Sequence, residues 1–315
     1  MARLMSPIET KKLPNSRLEI KGEVSAEEFK GYRPRALAHF AEKVKIDGFR
    51  AGKVPEAVLL EKIGESVILE EMAELALAEA YPRIILDNKI DALGRPEIKI
   101  TKMAIGDALA FTIETDVYPE VKLPDYEKLV KEVKAVTPEA VTDEELEKVI
   151  AELKAHGQEK AEEYRDKIKH NLTHEKEWKA KDKYRLGVIK KITEALSVEM
   201  PMSMVEGELD KMLSELKGSI EQSGYPFAEY LKQIGKTEEE LRAVWQDGAK
   251  ERVKFGLFTN ALAEVEKLYP TEDKIKEGVE ELKKQYPEVA EARLRAYVAS
   301  SLSGEAVWQK LESIK

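Results

Sequence analysis

The sequence predicts an α+β N-terminal domain, a small antiparallel sheet with helices and a helix-loop-helix tip, followed by an extended all-α C-terminal domain. Apolar residues alternate at period two in three segments of the first 120 residues, then recur at helical spacing from residue 142 onward. The composition agrees, since 36% charged against only 7% aromatic residues suits long, solvated helices. Ser16 to Val24 places Leu18, Ile20 and Val24 on one strand face, Leu109 to Val117 places Phe111, Ile113 and Thr115 likewise, and Ile98 and Ile100 supply a shorter third strand. Ser25-Ala26-Glu27-Glu28 reads as a capping box that opens a first helix running toward Ile46, with Gly31 and Pro34 predicting a kink or a late start. Pro55 suits the first turn of a second helix, and Val67 to Asn88 forms a third.

Residues 121–142 read as a linker between a domain over 1–120 and a helical domain over 143–315. Pro119, Pro124 and Pro138 punctuate it, and Val130, Val133 and Val136 give Tyr126–Val136 an extended character. Thr142-Asp143-Glu144-Glu145 and Thr237-Glu238-Glu239-Glu240 are two further capping boxes, and Pro201 with Ser203 marks another helix start. Val205, Leu209, Met212, Leu213 and Leu216 form one apolar stripe, Ile275, Val279 and Leu282 a second, Val307, Leu311 and Ile314 a third.

Composition excludes several chemistries. With no cysteine there is neither a disulfide nor a thiolate nucleophile. No apolar run approaches the ~20 residues of a membrane span, and Met1–Pro14 lacks the apolar core of a secretory signal. The expectation is a soluble cytoplasmic protein with no membrane association. A net charge of −9 argues against DNA binding, which depends on broad positive surfaces. No nucleophile elbow, phosphate loop or dinucleotide fingerprint is present, so no catalytic residue and no cofactor are assigned. The acidic runs Glu144-Glu145 and Glu238-Glu239-Glu240 sit at helix starts, where the helix dipole explains them. His170 and His174 are spaced i, i+4 on a predicted helix, but Trp178 stands where a zincin motif needs its second histidine. Solvated histidines are the expectation, with no metal site; a two-histidine site completed by a carboxylate is the alternative.

One loop stands out against the acidic background. Gly48-Phe49-Arg50-Ala51-Gly52-Lys53-Val54-Pro55 places an apolar anchor and two cations between glycines that let the chain turn sharply. Lys43, Lys45, Arg50 and Lys53 face only Asp47 over residues 43–53, a local basic spot suited to an anionic target. This octet, with its lead-in Lys43-Val44-Lys45-Ile46-Asp47, resembles the ribosome-docking signature of the trigger factor family. Asp91-Ala92-Leu93-Gly94-Arg95-Pro96 and Asp116-Val117-Tyr118-Pro119-Glu120-Val121 resemble family stretches as well, so the likeness covers residues 8 to about 155, with a looser helical likeness beyond. Ala51 departs from the third basic residue that many members carry, which bears on docking strength.

The resemblance implies a ribosome-associated, ATP-independent chaperone. Gly48, Phe49, Arg50, Gly52, Lys53 and Pro55 would dock on the large ribosomal subunit near the exit tunnel, while the helical domain holds nascent or unfolded polypeptides. Homodimerisation away from the ribosome is a further implication. Clients would meet Met200 and Met202, whose flexible thioethers adapt to varied partners, and Phe255 and Phe258, although aromatics at helical spacing are more often core. Family members usually carry a peptidyl-prolyl isomerase domain of ~100 residues, yet here Ala155-His156-Gly157-Gln158 runs directly into a charged helix from Glu159 to Thr193. The expectation is therefore a non-enzyme. The alternatives are a peptidyl-prolyl isomerase, or a ribosome-binding or self-assembling scaffold without client affinity.

Overall fold

The structure is a computed structural model that describes residues 8–45, 49–50, 52–157 and 161–314. The chain folds into two compact units, one of Met1–Glu120 with Glu199–Gln246, the other of Val121–Val198 with Asp247–Lys315.

The first unit is built on a four-stranded antiparallel sheet of order β1-β2-β4-β3, with β1 Glu9–Leu13, β2 Arg17–Val24, β3 Ala92–Lys102 and β4 Leu109–Val117. Alternation works as the sequence implies. Ile20, Val24, Leu109, Phe111 and Ile113 point to one face and are buried there under helices α1 (Ala26–Gly31), α2 (Arg33–Lys43) and α4 (Glu65–Asp87). The small residues Ala73, Ala76 and Ala80 on α4 sit buried among these apolar side chains. Thr115 is buried on the same strand and satisfies its hydroxyl against Tyr81 at 3.1 Å. Ile98 and Ile100 pair with Ile113 and Phe111, yet remain 39% and 41% exposed because β3 is an edge strand. Register shifts interrupt β3 between Leu93 and Glu97, where Pro96 cannot donate to a ladder.

Several local expectations need correction. β1 was not foreseen, because Glu9–Leu13 (ETKKL) carries no alternating apolar face; its pairing with β2 is a matter of backbone. The helix expected from Ser25 toward Ile46 is two helices that part at Tyr32, between the Gly31 and Pro34 that predicted a kink. Ser25 does accept from the Glu28 backbone N–H at 3.3 Å, but the Glu28 carboxylate turns toward Arg83 at 3.8 Å instead of closing the box. Burial pushes that carboxyl above its ordinary range, with Arg83 opposing the shift.

Residues 199–246, expected in the C-terminal domain, join the first unit through α8 (Met202–Gln222), α9 (Phe227–Ile234) and the start of α10 (Glu238–Val265). Pro201 precedes α8 without a capping side chain, and Asp116 at the end of β4 supplies one from across the fold, accepting from the Ser203 N–H at 3.0 Å. Ser16 N–H donates to the Glu199 carboxylate at 3.0 Å and Ser16 Oγ to the Glu199 carbonyl at 3.1 Å. Those bonds hold a β1–β2 turn in which Asn15 and Ser16 both adopt left-handed backbone angles. Loss of a capping carboxylate costs about 1 kcal/mol. Asp116→Ala is therefore expected to lower the free energy of unfolding in urea by about 1 kcal/mol and to speed amide exchange in the first turn of α8; unchanged exchange there would show that the cap is not used.

The second unit is helical, with α5 (Tyr126–Glu132), α6 (Asp143–Ala155), α7 (Arg165–Ala195), the rest of α10, α11 (Glu272–Gln285) and α12 (Glu291–Ser313). Its main core gathers Val130, Val188, Ile192, Phe258, Leu262 and Val307, with Val121, Leu123, Tyr126 and Val133 packed against them. The segment expected to be an extended linker thus enters the core through α5. Asp125 caps this helix and Val130 is its buried residue despite the β-preference of valine, while Val133, at the C-cap, packs on the same core in extended backbone. Reciprocal capping boxes open α6 at Thr142 and α10 at Thr237, as the sequence implies. On α11, a methyl group added at Gly278 would stand 2.7 Å from Val298 of α12, so only glycine allows the two helices this approach. Among the described residues no helix is long and apolar enough to cross a membrane.

Candidate functional site

The basic loop joins α2 to α3 (Glu56–Ile63). Arg33, at the start of α2, ties the base of this hairpin together by donating to Glu56 at 2.8 Å and to both carboxylate oxygens of Glu65, one of them at 2.9 Å. The Arg33 hydrogen bond holds the Glu65 carboxyl below the usual carboxylate range. Behind it, Glu79 accepts from Arg35 at 2.6 Å and from Tyr32 at 3.0 Å. Burial and then the Glu79 bond push the Tyr32 phenol up to about 12. The scaffold below the loop is consequently pinned by charge-assisted bonds, which are roughly twice as strong as neutral ones.

Gly48 and Ala51 lie outside the described residues. Gly52 folds the loop back on α2 by donating to the Ala41 carbonyl at 2.7 Å, and it does so at φ +79°, a region that costs other L-residues about 1–2 kcal/mol. Lys53 N–H donates to the Arg50 carbonyl at 3.0 Å, closing a turn. Pro55 sits one position earlier than expected, as the residue preceding α3, with its carbonyl accepting from Val58 and Leu59. Phe49 is 42% exposed, too open for a core residue of a stable unit. Arg50 and Lys53 are exposed, and among the described residues no carboxylate pairs with either, whereas Arg33 and Arg35 are both engaged internally. An exposed aromatic ring and two exposed cations therefore share one short loop on a braced hairpin.

The other expected site residues divide. Met202 is 52% exposed and Met200 half-buried, both in the first unit. Phe255 is half-buried against Trp308 in the second unit, ring centroids 5.3 Å apart. Phe258 is corrected outright: it is fully buried, with Tyr126 edge-on at 6.1 Å, and has no surface to offer a client. Exposed aromatics were missed, the most open among the described residues being Trp178 at 74% and Tyr269 and Tyr297 at 62% and 64%. Tyr297 was not recoverable, because at i+3 from Leu294 it falls on the helical stripe that includes Val298, yet it is exposed. The second unit also carries a groove of about 580 Å³ whose lining includes Val130, Val133, Val136, Ala180, Tyr184 and Ile314.

The family model described as bacterial trigger factor protein (TF) matches residues 6–153, and that described as bacterial trigger factor protein (TF) C-terminus matches residues 160–309. The chain belongs to the trigger factor family. Only residues 154–159 separate the two matched trigger factor stretches, against the ~100 residues of a typical domain, so no separate isomerase domain is inserted between them. The trigger factor of Rhodococcus opacus (strain B4) is 35% identical over 142 residues, 45% of this chain and 30% of the relative. That of Streptomyces avermitilis is 34% identical over 151 residues, 48% of this chain and 32% of the relative. The matched region thus spans about a third of the length of these curated trigger factors. A solved structure described as "Promiscuous Substrate Recognition in Folding and Assembly Activities of the Trigger Factor Chaperone" is similar in fold, with a TM-score of 0.59 at 14% identity over 98% of this chain and 100% of that one.

Proposed function

We propose that this chain is an ATP-independent chaperone of the cytoplasm that docks on the large ribosomal subunit near the exit tunnel and holds nascent or unfolded polypeptides. The observation that supports this most is the loop itself, where Phe49 is exposed and Arg50 and Lys53 have no carboxylate partner among the described residues. Such a constellation fits a surface of RNA phosphates beside an apolar recess. Phe49 would bury, the cations would pair with phosphates or carboxylates, and Gly48, Gly52 and Pro55 would set the loop's shape.

Holding a client asks only for exposed apolar surface on a soluble, acidic body. Met202 and the half-buried Met200 and Phe255 supply such surface, and the groove beside Tyr184 adds a concave one. Association of two copies through the same surfaces is the competing use. The chain, added in a few-fold excess without nucleotide, is expected to suppress light scattering by an unfolded client protein. Scattering that stays unchanged with several unrelated clients would remove the holding role and leave a ribosome-binding scaffold.

A further inference from the structure

We propose that His170 and His174 on α7 form a binding site for a borderline divalent transition-metal ion, of the class of Cu²⁺, Ni²⁺ and Zn²⁺. Residues four apart on a helix are surface neighbours, and here the two imidazoles meet with ring centroids only 4.4 Å apart. Two imidazole nitrogens bound cis to one ion at ~2.0–2.1 Å each lie about 3 Å from one another, and both rings are exposed and already in contact. Imidazole is the ligand type that suits these ions, and no cysteine competes for them in this chain.

The surroundings favour the bound form. Glu177, on the next turn, lies 3.2 Å from His174 Nδ1. A carboxylate there accepts the Nδ1 proton, fixes the tautomer and leaves Nε2 as the metal donor, the arrangement that histidine ligands usually have. Asp166, four residues before His170, places a second carboxylate on the same helical face, beside Lys167 three residues before that histidine. The nearby cations Lys181 and Arg185 are committed to Glu312, at 3.3 Å and 2.7 Å, so they oppose an incoming ion less. Among the described residues no group of three or more histidines or carboxylates is arranged to enclose a metal, so the ion would be held by two nitrogens and keep its remaining positions for water. On that chemistry Cu²⁺ binds most tightly.

The test is a titration of the full chain with Cu²⁺ in a weakly coordinating buffer, followed by electron paramagnetic resonance and by quenching of the exposed Trp178, which lies four residues beyond His174. One equivalent with two imidazole nitrogens in the equatorial plane is expected. His170→Gln and His174→Gln should each weaken uptake at least tenfold, Glu177→Ala should weaken it about tenfold, and His39→Gln and His156→Gln should leave it unchanged. All the altered side chains at the site are exposed, so folding is not at stake. Uptake that survives the double substitution of His170 and His174, or a spectrum without two imidazole nitrogens, would overturn the assignment.

Discussion

Replacing Phe49, Arg50 and Lys53 together by alanine is expected to weaken co-sedimentation with bacterial ribosomes at least 100-fold. Anchor residues at the centre of an interface cost ~2 kcal/mol or more each on truncation, and aromatic and arginine side chains dominate that class. Here the ring is already exposed, and among the described residues no carboxylate pairs with either cation, so docking need break no contact described for them. If Arg50 and Lys53 meet two phosphates, log affinity should fall with log salt at a slope of about −1.4 to −1.8, roughly tenfold between 50 and 200 mM. Arg50→Ala with Lys53→Ala should flatten that slope, while Phe49→Ala should lower affinity at every salt concentration and keep it. Gly52→Ala should weaken docking and cost up to about 1–2 kcal/mol of unfolding free energy, because alanine is strained at φ +79°. Binding that survives the triple replacement would send the search for the docking surface elsewhere on the molecule.

The loop was legible because everything that defines it is local. Glycine spacing, one aromatic and two cations lie within eight residues, and no distant partner is needed to expose them. The same holds for β2 and β4, whose period-two patterns name their buried faces, and for the capping boxes at Thr142 and Thr237, each closed over three residues. What was hidden depends on residues far apart in the chain. Asp116 caps α8 across 87 residues, and Ser16 meets Glu199 across 183, so no window of sequence could assign 199–246 to the first unit. Val130 becomes helical core only because Val188 and Phe258 are there to receive it. β1 is set by the register of its partner, with Glu9 facing Lys21 and Leu13 facing Arg17.

Phe255 and Phe258 make the same point in energetic form, and they are separable by experiment. Both lie on one face of α10, three residues apart, and the sequence offers no reason to rank them. The fold does: Phe258 is at 0% exposure between Tyr126 and Leu262, whereas Phe255 leans on Trp308 with part of its ring in solvent. Phe258→Ala should therefore cost about 3–5 kcal/mol of unfolding free energy, the transfer of a ring plus the cavity left behind. Phe255→Ala removes less buried area and leaves its site open to solvent, so about 1–2 kcal/mol is expected. Urea unfolding of the two variants gives the ranking directly. Client holding must be read beside it, since an exposed client surface and a packed core make opposite demands on one ring. Phe255→Ala should weaken holding in a protein that is still folded at working temperature, while Phe258→Ala should affect holding only under conditions where its helical unit unfolds. A Phe258→Ala protein with unaltered stability and impaired holding would put that ring on the surface, in conflict with its place against Tyr126.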